Sequence, residues 1–233
     1  MLSRTIALVP AAGRGHRMGG KTPKQFVVLG GLPLLAHTLA SLDAAHSVTA
    51  VIIAAPEADL DFTRREIVSR YAFKKVTKIV PGGAERQDSV RHALEAAGAD
   101  AEIIVVHDAV RPFLTATMVE NVIAKAAEHG AALVAIPMRD TVKQVGTDGL
   151  VAGTVDRGQL WLAQTPQAFR RALLEEAHRK ALLDGFRATD DAQLVERLGH
   201  RVAIVEGSGD NIKITRPEDL AMGEAILAAR KGR

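Results

Sequence analysis

Short apolar runs recur along this chain of 233 residues, and most of them do not alternate: "TIALV" from Thr5, "VTAVIIAA" from Val48, "KVTKIV" from Lys75, "EIIVVHD" from Glu102, "AALVAIP" from Ala131 and "RVAIVEG" from Arg201. A strand with one wet face alternates apolar and polar residues, so a continuous run implies cover on both faces. Between the runs lie "PLLAHTLASLDAA", "DLDFTRREIVSRY", "ERQDSVRHALEAAG" and "TATMVENVIAKAAEHG". Their apolar residues return every three or four positions, which predicts helices, with Gly98 and Gly130 as stops. Strand and helix in this rhythm build right-handed βαβ units, and therefore an α/β fold with a mostly parallel sheet and helices on both faces. With 47% hydrophobic residues the chain can bury a full core. No repeat or low-complexity linker divides it, so residues 1–233 read as one domain.

One segment breaks the rhythm. From Thr141, "TVKQVGTDGLVAGTVD" reads as two alternating strands around a turn between Gly146 and Gly149, an inserted β-hairpin arm at about residues 138–160. An isolated two-stranded hairpin is marginally stable in water, so the arm needs a surface, either that of its own domain or that of a second subunit.

Several classes of function are excluded early. The chain has no cysteine, which removes disulfides, thiolate nucleophiles and cysteine-based zinc sites; any metal must sit on oxygen or imidazole. Lys and Arg number 30 against 27 Asp and Glu, a net charge of +3, too shallow a balance for a nucleic-acid stripe. The start "MLSRTIALVPAAG" has too short an apolar segment for a signal peptide, and no run approaches the roughly eighteen apolar residues of a membrane span. The expected location is cytoplasmic.

The stretch "VPAAGRGHRMGGKTPKQF" from Val9 contains "GHRMGGKT", a literal match to the Walker phosphate loop. A Walker loop needs its Lys-Thr pair to open a helix, whose first amides and lysine hold the phosphates. Here Gly30, Gly31 and Pro33 would stop any such helix after roughly two turns. A Rossmann dinucleotide fingerprint also fails, because its third glycine falls on Met18. "IIVVHD" could still serve as a Walker B strand, so a P-loop NTPase stays open as an alternative, as does a merely solvated basic loop. A better reading is a triphosphate cradle of different build. Ala11, Ala12, Gly13 and Gly15 let backbone amides approach a polyanion, and Arg17, Lys21 and Lys24 supply charge.

Farther along, Asp108 in "VVHDAVRP" stands at the carboxyl end of a buried strand, where open α/β sheets place ligands and where a carboxylate suits Mg²⁺. His107 reads as a structural histidine. "GDNIKITRPEDL" places Asp210 and Lys213 before a helix opened by Pro217. "DTVK" from Asp140, "VDRGQLWLAQTPQAF" from Val155 and "ATDD" from Ala188 are each, taken singly, turn or cap sequences.

Together, "PAAGRGHRM…PKQF", "GGAERQDSV", "VHDAVRP", "DTVK", "VDRGQLW", "TPQAF", "TDDA" and "DNIKITRPEDL" resemble, in order and from end to end, the 2-C-methyl-D-erythritol 4-phosphate cytidylyltransferases of the non-mevalonate isoprenoid pathway. The resemblance implies a Rossmann-like nucleotidyltransferase fold, a homodimer joined through the arm, and Mg²⁺-dependent transfer of CMP from CTP, with other divalent ions open. It makes the Walker match a coincidence inside "PAAGxGxRM". By resemblance, Arg17 and Lys24 stabilise charge on the α-phosphate, and Ala11, Ala12, Gly13 and Gly15 form the backbone phosphate site. Gly83 and Ser89 belong to the cytosine site, and Asp108 with Asp210 to the Mg²⁺ site. Thr141, Arg157, Thr189 and Lys213 form the methylerythritol phosphate site, with Arg111 nearby, and Arg157 and Lys213 aim the nucleophile. One position departs from the family pattern: Ala84 stands where a polar, often acidic, residue is expected before "ER". A ribitol 5-phosphate cytidylyltransferase is the nearest alternative, because an acceptor of similar size could use the same cations.

Overall fold

The computed structural model describes residues 4–13 and 22–232. Seven strands form one sheet: β1 (Thr5–Pro10), β4 (Val48–Ala55), β5 (Val76–Pro81), β6 (Ile103–Val106), β7 (Ala131–Pro137), β10 (Trp161–Arg170) and β11 (Ala203–Glu206). Their spatial order is β5-β4-β1-β6-β10-β7-β11. Every neighbouring pair that excludes β10 is parallel, and β10 runs antiparallel to both β6 and β7. Two small hairpins stand apart from this sheet, β2 (Val28–Leu29) with β3 (Leu32–Pro33), and β8 (Val142–Val145) with β9 (Val151–Val155).

The apolar runs of β1, β4, β6 and β7 are covered on both faces, as their sequence requires, whereas the edge strands β5 and β11 are only partly buried. Ala7, Val9, Val51, Ile53 and Val105 point to one core, closed by α1 (Leu34–Ala44) and α4 (Ala116–His129). Ile6, Leu8, Ile52, Ile104 and Val106 point to the other, closed by α3 (Arg86–Ala96), α5 (Arg171–Leu183) and α6 (Asp191–Arg197). The period of two along each strand thus feeds two cores at once. The helical segment after β4 opens as a 3₁₀ turn over Glu57–Asp59, passes through α2 (Leu60–Phe62) and continues as π-helix over Thr63–Ser69. A third, smaller cluster of Leu29, Leu34, Val110, Phe113 and Ile214 lies under α7 (Pro217–Lys231).

Two expectations about local structure change. Gly130 does end α4, at φ +91°, but α3 ends at Ala97 in extended conformation, and Gly98 lies beyond the stop. Strand β10 was not legible as a strand at all; "WLAQTPQAFR" carries Gln164, Thr165 and Gln167, which are buried polar residues. The arm is where the sequence places it. Met138 N donates to Leu160 O at 2.9 Å and closes its base, while Val145, Leu150 and Val151 on it are 56%, 68% and 61% exposed. Among the described residues no helix is long and apolar enough to cross a membrane.

Candidate active site

The strand order reverses between β1 and β6, and the segments that follow β1, β5 and β6, with Lys213, wall a cavity of about 300 Å³. A doubly wound sheet places its ligand crevice at such a switch point. Ala11 N donates to Ala54 O at 2.7 Å, so the chain leaves β1 still paired to β4 and delivers Ala12 and Gly13 to the cavity wall. Gly13 lets Lys24 lie close across the backbone, since a Cβ there would stand 3.3 Å from Lys24 Cε. Likewise a Cβ on Gly82 would overlap the side chain of Ala12, which joins the β5 loop to the β1 loop. Gly83 N donates to Ser89 Oγ at 3.1 Å, and Ser89 Oγ donates to Glu85 O at 3.1 Å, fixing the turn into α3.

At the end of β6, His107 is fully buried, and burial pushes its pKa down to about 4. Its Nε2 faces Arg111 O at 3.2 Å, and a carbonyl can only accept, so Nε2 carries the proton. Nδ1 then accepts from Thr165 Oγ at 3.0 Å, and Thr165 Oγ accepts from Asp108 N at 3.0 Å. The structural reading of His107 holds, and it aims Asp108. Burial pushes the Asp108 carboxyl up, but Arg86, Lys213 and Arg111 outweigh it and hold the group well below the usual carboxylate range. Arg86 Nε donates to Asp108 Oδ1 at 2.9 Å, Lys213 Nζ to Oδ2 at 2.9 Å, and Arg111 Nε lies 3.6 Å from Oδ2. Arg111 is fixed from its other end by donating through an Nη to Asn211 O at 2.7 Å.

The structure therefore brings Ala11, Ala12, Gly13, Lys24, Gly83, Ser89, Asp108 and Lys213 to one cavity, with Arg111 against Asp108. Arg17 and Gly15 lie outside the described residues. Thr141, Arg157 and Thr189 do not reach this cavity from their own chain. Thr141 is exposed beside the arm, and Arg157 sits on a turn at the arm's base, donating to Arg139 O. Thr189 borders a separate hollow with Trp161 and Asp190. The Asp108 and Asp210 pair is not assembled, since Asp210 is not on the cavity wall and its carboxylate lies 3.7 Å from an Nη of Arg230. Among the described residues no group of three or more His, Asp or Glu side chains could hold a metal. Asp108 is a carboxylate on the cavity wall, the hard oxygen donor that Mg²⁺ takes, and each of its oxygens already faces a cation, Arg86 at Oδ1 and Lys213 and Arg111 at Oδ2.

Three functional candidates escaped the sequence reading. Arg86 is the first residue of α3, at the positive end of a helix, where a cation is disfavoured; that misplaced charge was the available signal. Asp191 opens α6 and reads as ordinary first-turn acid. Gln25 is buried on the cavity wall with an amide that makes no hydrogen bond among the described residues. The Walker alternative fails on local structure: Thr22 and Pro23 are not helical, and only a single 3₁₀ turn, Lys24–Phe26, follows before β2. A hollow of about 700 Å³ at the opposite end of the sheet is walled by Arg171, whose guanidinium is taken up by Glu175 and backbone carbonyls.

The family profile described as "IspD: 2-C-methyl-D-erythritol 4-phosphate cytidylyltransferase" matches residues 5–229. A 2-C-methyl-D-erythritol 4-phosphate cytidylyltransferase of Syntrophus aciditrophicus is 46% identical over 233 residues, covering 100% of both chains. Among solved structures, 4-diphosphocytidyl-2C-methyl-D-erythritol synthase of Anaerococcus prevotii superposes with a TM-score of 0.85 at 29% identity, covering 98% of this chain and 100% of that one. The 2-C-methyl-D-erythritol 4-phosphate cytidylyltransferase of Thermus thermophilus gives a TM-score of 0.78 at 37% identity, with 98% and 100% covered. A switch-point cavity floored by cations, a profile match over nearly the whole chain and end-to-end relatives agree, and the chain belongs to the 2-C-methyl-D-erythritol 4-phosphate cytidylyltransferase family.

Proposed function

We propose how this chain carries out its family's reaction, the CTP-dependent transfer of CMP to 2-C-methyl-D-erythritol 4-phosphate with release of pyrophosphate. A phosphate oxygen of the acceptor attacks the α-phosphorus of CTP; the new P–O bond forms as the bond to the β-phosphate breaks, and both electrons leave with pyrophosphate. The nucleophile is already anionic and needs no general base. The barrier is the mutual repulsion of acceptor and triphosphate, so catalysis is charge neutralisation and in-line positioning. Ala12, Gly13 and Gly15 offer backbone amides to the phosphates, Ala11 holds the strand end that presents them because its own amide is taken by Ala54 O, and Arg17 and Lys24 neutralise the charge developing at the α-phosphate. Gly83 and Ser89 read the cytosine. Ala84 on the cavity wall contributes no side-chain polar group there, leaving base recognition to the main chain and Ser89. Lys213, with Arg111 beside it, aims the acceptor phosphate. When bound, Mg²⁺ on Asp108 would screen the triphosphate and act as a Lewis acid on it.

Thr141, Arg157 and Thr189 complete the acceptor site in a homodimer joined through the arm. The supporting observation is that Thr141 and Arg157 sit on an arm whose apolar side chains are exposed and which does not reach the cavity of its own chain. The cavity itself carries the catalytic reading: a glycine-lined wall, Lys24 and Lys213 face one space, with Lys213 on the Asp108 carboxylate. Pyrophosphate release measured for each NTP against methylerythritol and ribitol phosphates tests it. CTP with methylerythritol phosphate is expected to dominate; ATP turnover without an acceptor, or a preference for ribitol phosphate, would overturn it.

A further inference from the structure

Behind the cavity, a line of paired polar side chains runs from α5 through α6 and α3 to Asp108 and Lys213. His178 on α5 and Asp191 on α6 are almost fully buried, at 3% and 1% exposure, with His178 Nε2 3.2 Å from Asp191 Oδ1. Asp191 Oδ2 accepts from an Nη of Arg86 at 2.7 Å, and Arg86 Nε donates to Asp108 Oδ1 at 2.9 Å. Asp108 Oδ2 then accepts from Lys213 at 2.9 Å. Arg86 is thus stretched between two carboxylates, one deep and one at the cavity, and its remaining Nη has no hydrogen-bond partner among the described residues.

We propose that Asp191 and Arg86 are positioning residues that set Lys213 for the transfer. The argument is one of competition. A guanidinium can grip a carboxylate with two parallel N–H bonds, and this is its strongest mode. In this structure Arg86 gives Asp108 only Nε: Asp191 holds one Nη from the other side and so fixes the plane of the guanidinium, in which the remaining Nη finds no partner among the described residues. Asp108 Oδ2 is thereby left for Lys213. Remove the charge of Asp191, and Arg86 turns its fork onto Asp108, occupies both oxygens and releases Lys213 from its fixed place. Stability gives no comparable reason for the arrangement, since a buried ion pair is often no more stabilising than well-packed apolar residues.

The proposal rests on Lys213 aiming the acceptor, and a double-mutant cycle keeps the two ideas separate. Asp191 acts on Lys213 only through Arg86 and Asp108. Asp191→Asn keeps the side-chain shape and is expected to lower kcat about tenfold, the scale of an outer positioning contact, with KM for CTP changed by less than about twofold. Asp191→Glu, which restores the charge, is expected to recover most of that loss. In the Lys213→Met background, Asp191→Asn should cost little more, because the group it positions is gone. A purely structural Asp191 would instead give losses that multiply and a fall in thermal midpoint that tracks kcat. Multiplying losses, or an Asp191→Asn enzyme with unchanged kcat, would overturn the proposal. A Lys213→Met enzyme of wild-type kcat would remove the aiming role of Lys213 and the proposal with it. Should Asp191→Asn fail to fold, Arg86→Lys, which cannot span both carboxylates, takes its place in the same cycle with the same outcomes.

Discussion

Asp108 and His107 are neighbours in sequence with opposite electrostatic fates, one held charged by three cations and the other held neutral by burial. The neutral imidazole has both nitrogens satisfied, by Arg111 O and the Thr165 hydroxyl, so the folded protein takes up a proton there near pH 4, whereas the ordinary value is 6.5. Above pH 6.5 both folded and unfolded chains carry the neutral ring, and its contribution to stability is fully present. Between pH 6.5 and 4 only the unfolded chain protonates, so that contribution falls by about 1.4 kcal/mol per pH unit, ~3 kcal/mol in all, with no further loss below. Urea denaturation in chelator-containing buffer should show this slope in the wild type and its absence in His107→Asn; parallel stability curves would refute the assignment. Lys24, lying across Gly13, belongs to the same scale. Its replacement by Ala is expected to lower kcat about 10²- to 10³-fold, as for loss of one preorganised charge donor, and to raise KM for CTP much less. Steady-state kinetics in which only KM moves would make Lys24 a binding group alone.

Among the elements, α4 gives the simplest energetic test. Thr115 Oγ accepts from Met118 N at 3.2 Å and caps the helix, and Thr115 is not on the cavity wall. Thr115→Ala should cost about 1 kcal/mol in denaturant unfolding and leave kcat unchanged; a change in kcat would tie α4 to the site. The same scale shows what the sequence could reveal. Strands β1, β4 and β6 were legible because burial on both faces leaves their runs apolar but for Thr5 and Thr49 near the strand starts. Strand β10 was not, because its buried polar residues are satisfied by side-chain bonds that hydropathy cannot register. Gln164 donates to Ser208 O and accepts from Asn211, Gln167 donates to Asp190 and accepts from Ala192 N, and Thr165 bonds His107 and Asp108 N. The site divides in the same way. Asp108 and Lys213 were legible from their place beside strand ends and helix starts. Asp191 was missed because a first-turn acid passes for capping chemistry, and Arg86 because its misplaced charge at a helix start gains a meaning only from its pairing with Asp191 across about a hundred residues.

For the whole molecule the arm is decisive. If Arg157 serves the partner's cavity while Lys24 serves its own, Lys24→Ala and Arg157→Ala homodimers are each nearly inactive, but a mixed dimer has one site with both lesions and one with neither. Random pairing of equal amounts makes about half the dimers mixed and restores roughly a quarter of wild-type activity, given two-fold isologous pairing. Co-refolded mutants that have exchanged subunits and stay inactive would return Arg157 to its own chain. The arm also separates two strands that must finally lie side by side in time as well as space. β7 leaves the ribosome before the arm, yet the strand that joins it to β6 is β10, which follows the arm. During synthesis β5, β4, β1 and β6 can already pair in parallel, while β7 waits with neither of its sheet neighbours made. The open edge of β6 is then a bare row of peptide groups next to an unfinished apolar strand, the condition under which nascent chains stick to one another. Completion of β10 closes that edge and seats Thr165 against His107 and Asp108 N in the same event, so protection from aggregation and the placing of Asp108 arrive together.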